Sequence, residues 1–186
     1  MVVIPRPSLK VALLIGRFQP FHLGHVRAIE YALERADMLV LVIGSSQRSH
    51  EFRNPFTAGE RMEMISTVLL DERLLDRVMF AELPDVENHS LWVPLLKSLT
   101  PRFDLALSND SLSIRLCKEN GIPVEEVPLL RREELVATEI RHRIASGKKW
   151  EHLVPKEVAR YLNEMKGAER IRELFAQQDS ANGKRV

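Results

Sequence analysis

Only one cysteine, Cys117, occurs among the 186 residues. A single thiol excludes an internal disulfide and a cysteine metal cage, and it suits a reducing, cytoplasmic setting. Packed as a small apolar residue, it needs no chemistry of its own. Net charge is almost as scarce. The 27 Lys and Arg residues nearly cancel the 26 Asp and Glu residues, leaving +1, so no global field draws the chain onto nucleic acid or an anionic membrane. Any anion site must be local. No apolar run approaches the roughly 20 residues that span a bilayer. Residues 1–10, interrupted by Pro5 and Pro7, lack the apolar centre of a signal peptide.

The length fits one domain with a sizeable core. Residues 11–15 and 38–43 are continuous apolar runs, the pattern of strands covered on both faces in a parallel sheet. A helical stretch over 22–34 separates them, making a βαβ unit. Residues 78–83, 103–107 and 124–127 are shorter strand candidates, each set off from the last by a segment of helical periodicity. Thr57-Ala58-Gly59-Glu60 reads as a capping box that opens a helix over 58–70. Further helices are expected at 91–99, 112–120, 138–145, 155–166 and 168–175. This alternation predicts a single Rossmann-like, doubly wound α/β domain over 10–176, with a parallel sheet of about five strands and helices on both faces. Residues 1–9 form an N-terminal extension, and the polar segment 177–186 is expected to be a frayed tail.

In such a sheet, ligands bind beyond the carboxyl ends of the strands, where strand order reverses. That edge is where the unusual residues collect. Gly16-Arg17-Phe18-Gln19-Pro20-Phe21-His22-Leu23-Gly24-His25 follows the first strand. His22 and His25, three apart, share a face of the helix's first turn, where free N–H groups and the positive dipole end attract anions. Gly24 removes a side chain between them and leaves room for close backbone approach. The dipole disfavours imidazolium there and a bound polyphosphate reverses that bias, which points to nucleotidyl transfer. Transfer of this kind demands alignment and charge neutralisation more than covalent help. Arg17, Arg53 and Arg141 are the candidate cations, against the ordinary fate of arginine as a solvated surface charge.

Trp92, at a helix start beyond the third strand, serves equally well as core or as a ligand platform. Asp85 and Asn88 before it are either helix caps or ligand contacts. Ser108-Asn109-Asp110 suits a turn that opens a helix and exposes polar groups, with adenine or ribose contact as its functional option. Within 131–149, Arg131, Arg132, Arg141, His142, Arg143, Lys148 and Lys149 are balanced by Glu133, Glu134 and Glu139. Most of that stretch reads as a solvated face.

The ten-residue string resembles the signature of nicotinamide mononucleotide (NMN) adenylyltransferases, within the nucleotidyltransferase superfamily that shares [TH]-x-G-H. Residues 52–61 resemble the archaeal members, and Thr138-Glu139-Ile140-Arg141 stands where the family carries a [ST]-x-[ST]-T-x-x-R-like phosphate motif. The likeness runs from Lys10 to Phe175. It implies formation of NAD from ATP and NMN with release of pyrophosphate. His22 and His25 would hold the ATP phosphates, with Gly16, Phe18, Gly24, Ser108 and Asn109 also on the ATP side. Thr138 and Arg141 would grip the triphosphate. Arg17 and Arg53 would hold the NMN phosphate or bridge both substrates. Trp92 would stack on the cationic nicotinamide, with Asp85 and Asn88 at its carboxamide.

No Cys or His cluster has zinc spacing, so the metal implied is Mg2+ delivered with ATP. Relatives of this type are commonly hexamers, which implies a homo-oligomer. One departure stands out: Val136 and Ala137 occupy positions where many relatives have serine or glycine. The competing readings are an adenylyltransferase for another phosphorylated acceptor, pantetheine phosphate or a flavin, and a nucleotide-binding sensor without turnover.

Overall fold

The computed structural model describes residues 9–128 and 135–183, with side chains to residue 180. The expected N-terminal extension thus lies, apart from Leu9, outside the described residues. The apolar runs form strands β1 (Val11–Gly16), β2 (Met38–Gly44), β3 (Val78–Leu83), β4 (Leu105–Leu107) and β5 (Val124–Glu125). They pair in parallel in the order β3-β2-β1-β4-β5. Strand order therefore reverses between β1 and β4. The carboxyl end of β1, where the ten-residue string begins, stands at that reversal.

Seven α-helices are described: α1 (Leu23–Leu33), α2 (Ala58–Asp71), α3 (Trp92–Leu99), α4 (Ser111–Glu119), α5 (Ala137–Ala145), α6 (Lys156–Glu164) and α7 (Gly167–Gly183). Alternate strand residues point to opposite faces, and the core divides accordingly. Ala12, Leu14, Leu39, Leu41, Ile43, Leu105 and Leu107 pack with α1, α2 and α5 to α7. Leu13, Val40, Val42, Ala81 and Ala106 pack with α3 and α4, where buried Cys117 takes its place as a core residue. Two-sided cover explains why β1 and β2 read as unbroken apolar runs.

Two expected strands are shorter than their apolar patterns. β4 starts at Leu105 rather than 103, because Asp104 takes the Val11 N–H on its carboxylate at 2.8 Å. β5 stops at Glu125 rather than 127, since the Val127 N–H is donated to Asn109 Oδ1 at 2.9 Å. The expected frayed tail is also corrected: α7 continues to Gly183. Ile171, Leu174 and Phe175 anchor that helix against the core, and once a helix is nucleated, Ala176, Gln177 and Gln178 extend it at little cost.

The α2 capping box forms as expected. Thr57 Oγ1 accepts from the Glu60 N–H at 3.2 Å, and Glu60 accepts from the Thr57 N–H at 2.9 Å. The same carboxylate takes two bonds from Arg170 on α7, at 2.8 and 2.9 Å. Burial pushes the Glu60 carboxyl up, but the Arg170 and Thr57 hydrogen bonds outweigh it and hold the group below its ordinary value. A depressed carboxyl stabilises the fold above its unfolded pKa and loses that contribution as pH falls through the folded value. Glu60→Gln should therefore cost about 1–2 kcal/mol at neutral pH, the low end for a charged hydrogen bond because solvent screens the pair. Urea unfolding should show the gap to the native protein closing as pH drops below about 4. A gap that persists at low pH would mean the charge contributes nothing.

Candidate nucleotide site

A cavity of about 730 Å³ opens at the carboxyl ends of β1 and β4. On one side it meets the start of α1, on another the start of α5, and on a third the segment before α3. Its floor begins at Gly16, where an added Cβ would lie 2.6 Å and 2.7 Å from ring atoms of Phe18. Only glycine leaves space for that ring. Phe18 itself has a φ of +53°, a left-handed conformation that costs a non-glycine residue about 1–3 kcal/mol. Its ring is buried and meets the edge of His25 at 4.8 Å. Phe18 thus supports a histidine and also lines the cavity.

His22 is the N-cap of α1 and is 5% exposed, while His25 is half-buried. Their rings stack with centroids 3.6 Å apart, and Phe21 stacks on the other side of His25 at 5.4 Å. The His22 N–H donates to His25 Nδ1 at 3.2 Å, which assigns the neutral His25 proton to Nε2. Among the described residues His22 Nδ1 has no partner.

Burial lowers the His22 pKa to about 4. It also drives His25 well below the ordinary value, with the nearby His22 adding to the shift. Both rings are therefore neutral near neutral pH in the free protein. The expected direction holds, but burial is the main cause, where the helix dipole was expected to be. Gly24 also plays a part in packing. An added Cβ would sit 3.0 Å from two His22 ring atoms, so its missing side chain makes room for His22 at a position that also lines the cavity.

Arg17 and Arg141 line the same cavity as the histidines, and Arg53 stands in a hollow next to it. Arg141, on the first turns of α5, is 2% exposed and donates to the Gln19 carbonyl at 2.6 Å and to Thr138 Oγ1 at 3.1 Å. Its Nε is buried with no partner among the described residues. Burial brings its pKa down to about 10, and Arg17 and Arg53 contribute. Arg17 is lowered by burial and then by Arg53, against the pull of Asp85 and Asp110. Arg53 is exposed at the tip of a tight turn closed by reciprocal Glu51 and Asn54 backbone bonds. It lies outside the main cavity but lines an adjoining hollow of about 540 Å³ with Arg17, Thr138 and Arg141. Among the described residues none of the three is ion-paired with a carboxylate, and like charges gathered in this way favour an anion that compensates them.

Val136 caps α5 without a side-chain bond, and Val136, Ala137 and Thr138 border the cavity. With no hydroxyl at 136 or 137, the polar groups offered there are the backbone N–H groups of the helix start, a kind of group that can bind anions. Residues 129–134, which include the start of the expected basic stretch, lie outside the described residues.

On the opposite wall, Trp92 is half-buried as the first residue of α3. It lines the cavity and also packs on the core below. Asp85 lines the cavity too, accepting from Ser45 Oγ at 2.8 Å and pairing with Arg48 at 3.4 Å. Asn88 does not line it. Its Oδ1 caps the following turn by accepting from the Ser90 N–H and hydroxyl at 3.0 and 2.8 Å, and His89 borders the cavity instead. Ser108 and Asn109 both line the cavity after β4. Ser108 Oγ accepts from the Asp110 N–H at 3.1 Å, and Asn109 ties down Val127.

Two buried residues of the site carry no role in the sequence reading. Gln19, 1% exposed, pairs its side-chain amide with both backbone groups of Phe56, at 2.9 and 3.0 Å. This fixes the turn that carries Arg53 against the histidine loop. Arg61 is fully buried in α2. A signal for it was present: it falls on the stripe with Ala58, Met64, Ile65 and Val68, the buried face of that helix.

A profile of the cytidylyltransferase-like family matches residues 13–143. The nicotinamide-nucleotide adenylyltransferase of Pyrococcus horikoshii is 43% identical over 169 residues, covering 91% of this chain and 91% of that protein. The protein of the same name from Methanosarcina acetivorans is 47% identical over 165 residues, 89% of this chain and 94% of its own. Among solved structures, a bifunctional NMN adenylyltransferase/ADP ribose pyrophosphatase from Francisella tularensis, complexed with AMP and a manganese ion, aligns with 92% of this chain at 23% identity and a TM-score of 0.75. The chain spans about half that protein's length, 53%, and the likeness bears on the fold alone. Identity of this degree over nearly the whole of both chains makes the conclusion direct: this chain belongs to the nicotinamide-nucleotide adenylyltransferases of the cytidylyltransferase-like family.

Proposed function

We propose that this chain transfers the adenylyl group of ATP to the 5′-phosphate of NMN, giving NAD and pyrophosphate. The observation that carries this reading is the meeting of Arg17 and Arg141 with two neutral histidines at one cavity, with Arg53 in the hollow beside it and none of the three arginines ion-paired among the described residues. Such a site is built for substrates that bring their own negative charge. The names of the relatives supply the substrates. An oxygen of the NMN phosphate attacks the α-phosphorus in line. One P–O bond forms as the bond to the bridging oxygen breaks, and the electron pair leaves with pyrophosphate. The attacking phosphate is already anionic near neutral pH, so neither a general base nor a covalent enzyme intermediate is needed.

In this reading the phosphates of ATP raise the pKa of His22 and His25, turning neutral rings into cationic partners as charge develops. Thr138 spends its lone pair on Arg141 and keeps its O–H to donate to the β- and γ-phosphates, beside the free amides of α5. Arg17 and Arg53 hold the NMN phosphate or bridge the two substrates. Ser108 and Asn109 meet the adenosine with the Gly16 backbone, and Trp92 stacks on the cationic nicotinamide ring. Asp85 accepts from the carboxamide, while Asn88 is left to its cap.

Among the described residues no group of three or more His, Cys, Asp or Glu is placed to hold a metal. Mg2+ would arrive with ATP, held by phosphate oxygens and water, and offset phosphate charge. No helix among the described residues is long and apolar enough to cross a membrane. A cytoplasmic, homo-oligomeric enzyme, in the hexameric form common among relatives, belongs to the same proposal.

Pyrophosphate release measured by a coupled assay should be rapid with NMN and negligible with pantetheine phosphate or flavin mononucleotide. Turnover on a rival acceptor, or on none, would replace this reading with one of the alternatives. His22→Ala and His25→Ala should each lower kcat by about a hundredfold or more while NMN affinity changes little. Near-normal turnover would leave the pair a purely structural stack. Trp92→Ala should raise the NMN KM and spare that of ATP, a loss of about 0.5–2 kcal/mol, partly regained in Trp92→Phe. If the Ala variant instead loses cooperative thermal unfolding, Trp92 matters as core.

A further inference from the structure

The carbonyl groups at the carboxyl ends of parallel strands carry partial negative charge toward the same edge that receives the ligand. At β1 and β2 that edge faces polyphosphate in the reading above, and unshielded carbonyls there would repel it. Arg61 removes the conflict from below. Its Nη1 donates to the Gly44 carbonyl at 2.8 Å and the Arg17 carbonyl at 3.0 Å. Nη2 reaches the Ser45 carbonyl at 3.3 Å and Nε the Thr57 carbonyl at 3.1 Å. The side chain is fully buried, makes no ion pair among the described residues and does not line the cavity. Ser45, with a φ of +48°, is held in the left-handed turn that brings its carbonyl onto the guanidinium. A guanidinium suits this task because its planar fork reaches several carbonyls at once.

We propose that Arg61 is a positioning residue of the phosphate site. It locks the main chain of Arg17, so that the Arg17 side chain stays beside Arg141. It also draws three carbonyls of the β1 and β2 ends onto a buried cation, which makes that edge tolerant of anions. Substrate never touches Arg61. The residue acts through Arg17 and through the electrostatics of the strand ends, and its effect is confined to ligands that carry phosphate. The inference rests on the assignment of phosphates to Arg17 and Arg141.

The test is isothermal titration of the native protein, Arg61→Met and Arg61→Lys with two pairs of ligands: ATP against adenosine, and NMN against nicotinamide riboside. Arg61→Met should weaken ATP and NMN by about tenfold or more, the loss expected with a charged hydrogen-bond network, and leave the phosphate-free partners within about twofold. Arg61→Lys, which keeps the charge with fewer and less rigid donors, should fall between and carries the test if the Met variant does not fold. Equal losses for phosphate-bearing and phosphate-free ligands overturn the proposal, as does no loss at all or the failure of both variants to fold, since Arg61 would then be a structural residue only. A native protein that binds adenosine as tightly as ATP would refute the phosphate assignment itself. Native discrimination that both variants retain in full would refute only the role of Arg61.

Discussion

A buried guanidinium with four carbonyl partners joins the two halves of this molecule's problem. The ends of β1 and β2 must have their backbone groups satisfied, and under the proposed function the same edge must accept several negative charges. Arg61 meets both demands with one cation taken from α2. Burial lowers its pKa to about 10, with Glu82 pulling upward, so it remains charged at neutral pH. The cost of burying that charge is offset by hydrogen bonds that would otherwise be missing. The Arg17 turn, the Ser45 turn and the first turn of α2 are thereby tied to one point, and Arg17, which contacts phosphate in the proposed mechanism, hangs from it.

The histidine loop solves a related problem with packing instead of charge. His22 and His25 lie among Phe18, Phe21 and each other, and burial in that company keeps them neutral. Two glycines serve the stack: Gly16 makes room for the Phe18 ring and Gly24 for the His22 ring. The strained backbone at Phe18 is held by this fit, and by Gln19 and Arg141, which fasten the next residue to Phe56 and to α5. Preorganisation of this kind is what charge-stabilising catalysis requires, because groups already in place need no reorganisation during reaction. The helix dipole is secondary here. Loss of hydration moves these pKa values further than the end of a short helix does.

Much of the architecture was legible before any coordinates, for reasons that lie within a few residues of each position. Unbroken apolar runs announced strands buried on both faces, and the Thr57 to Glu60 spacing announced its cap. Residues of the Gly16 to His25 string and of the Thr138 to Arg141 segment meet at the cavity beyond the strand ends. Local pattern could not set the ends of β4 and β5, because Asp104 and Asn109 divert backbone partners that apolar spacing assumes are free. It also misjudged residues 177–183. Their polarity suggests a tail, but packing at Ile171, Leu174 and Phe175 nucleates a helix that passes through them.

By itself the sequence determined the succession of elements, the single α/β domain and the residue types of the anion site. All of these follow from short-range periodicity, caps and a compact motif. Tertiary structure alone decided which of those residues share an environment. It set Arg141 on a carbonyl 122 residues away, moved Asn88 off the cavity into a cap, carried Arg53 to an adjoining hollow and placed Arg61 under the strand ends. The physical reason is that burial and the partners of a buried charge depend on which distant segments pack together, and no window of neighbouring residues contains that information.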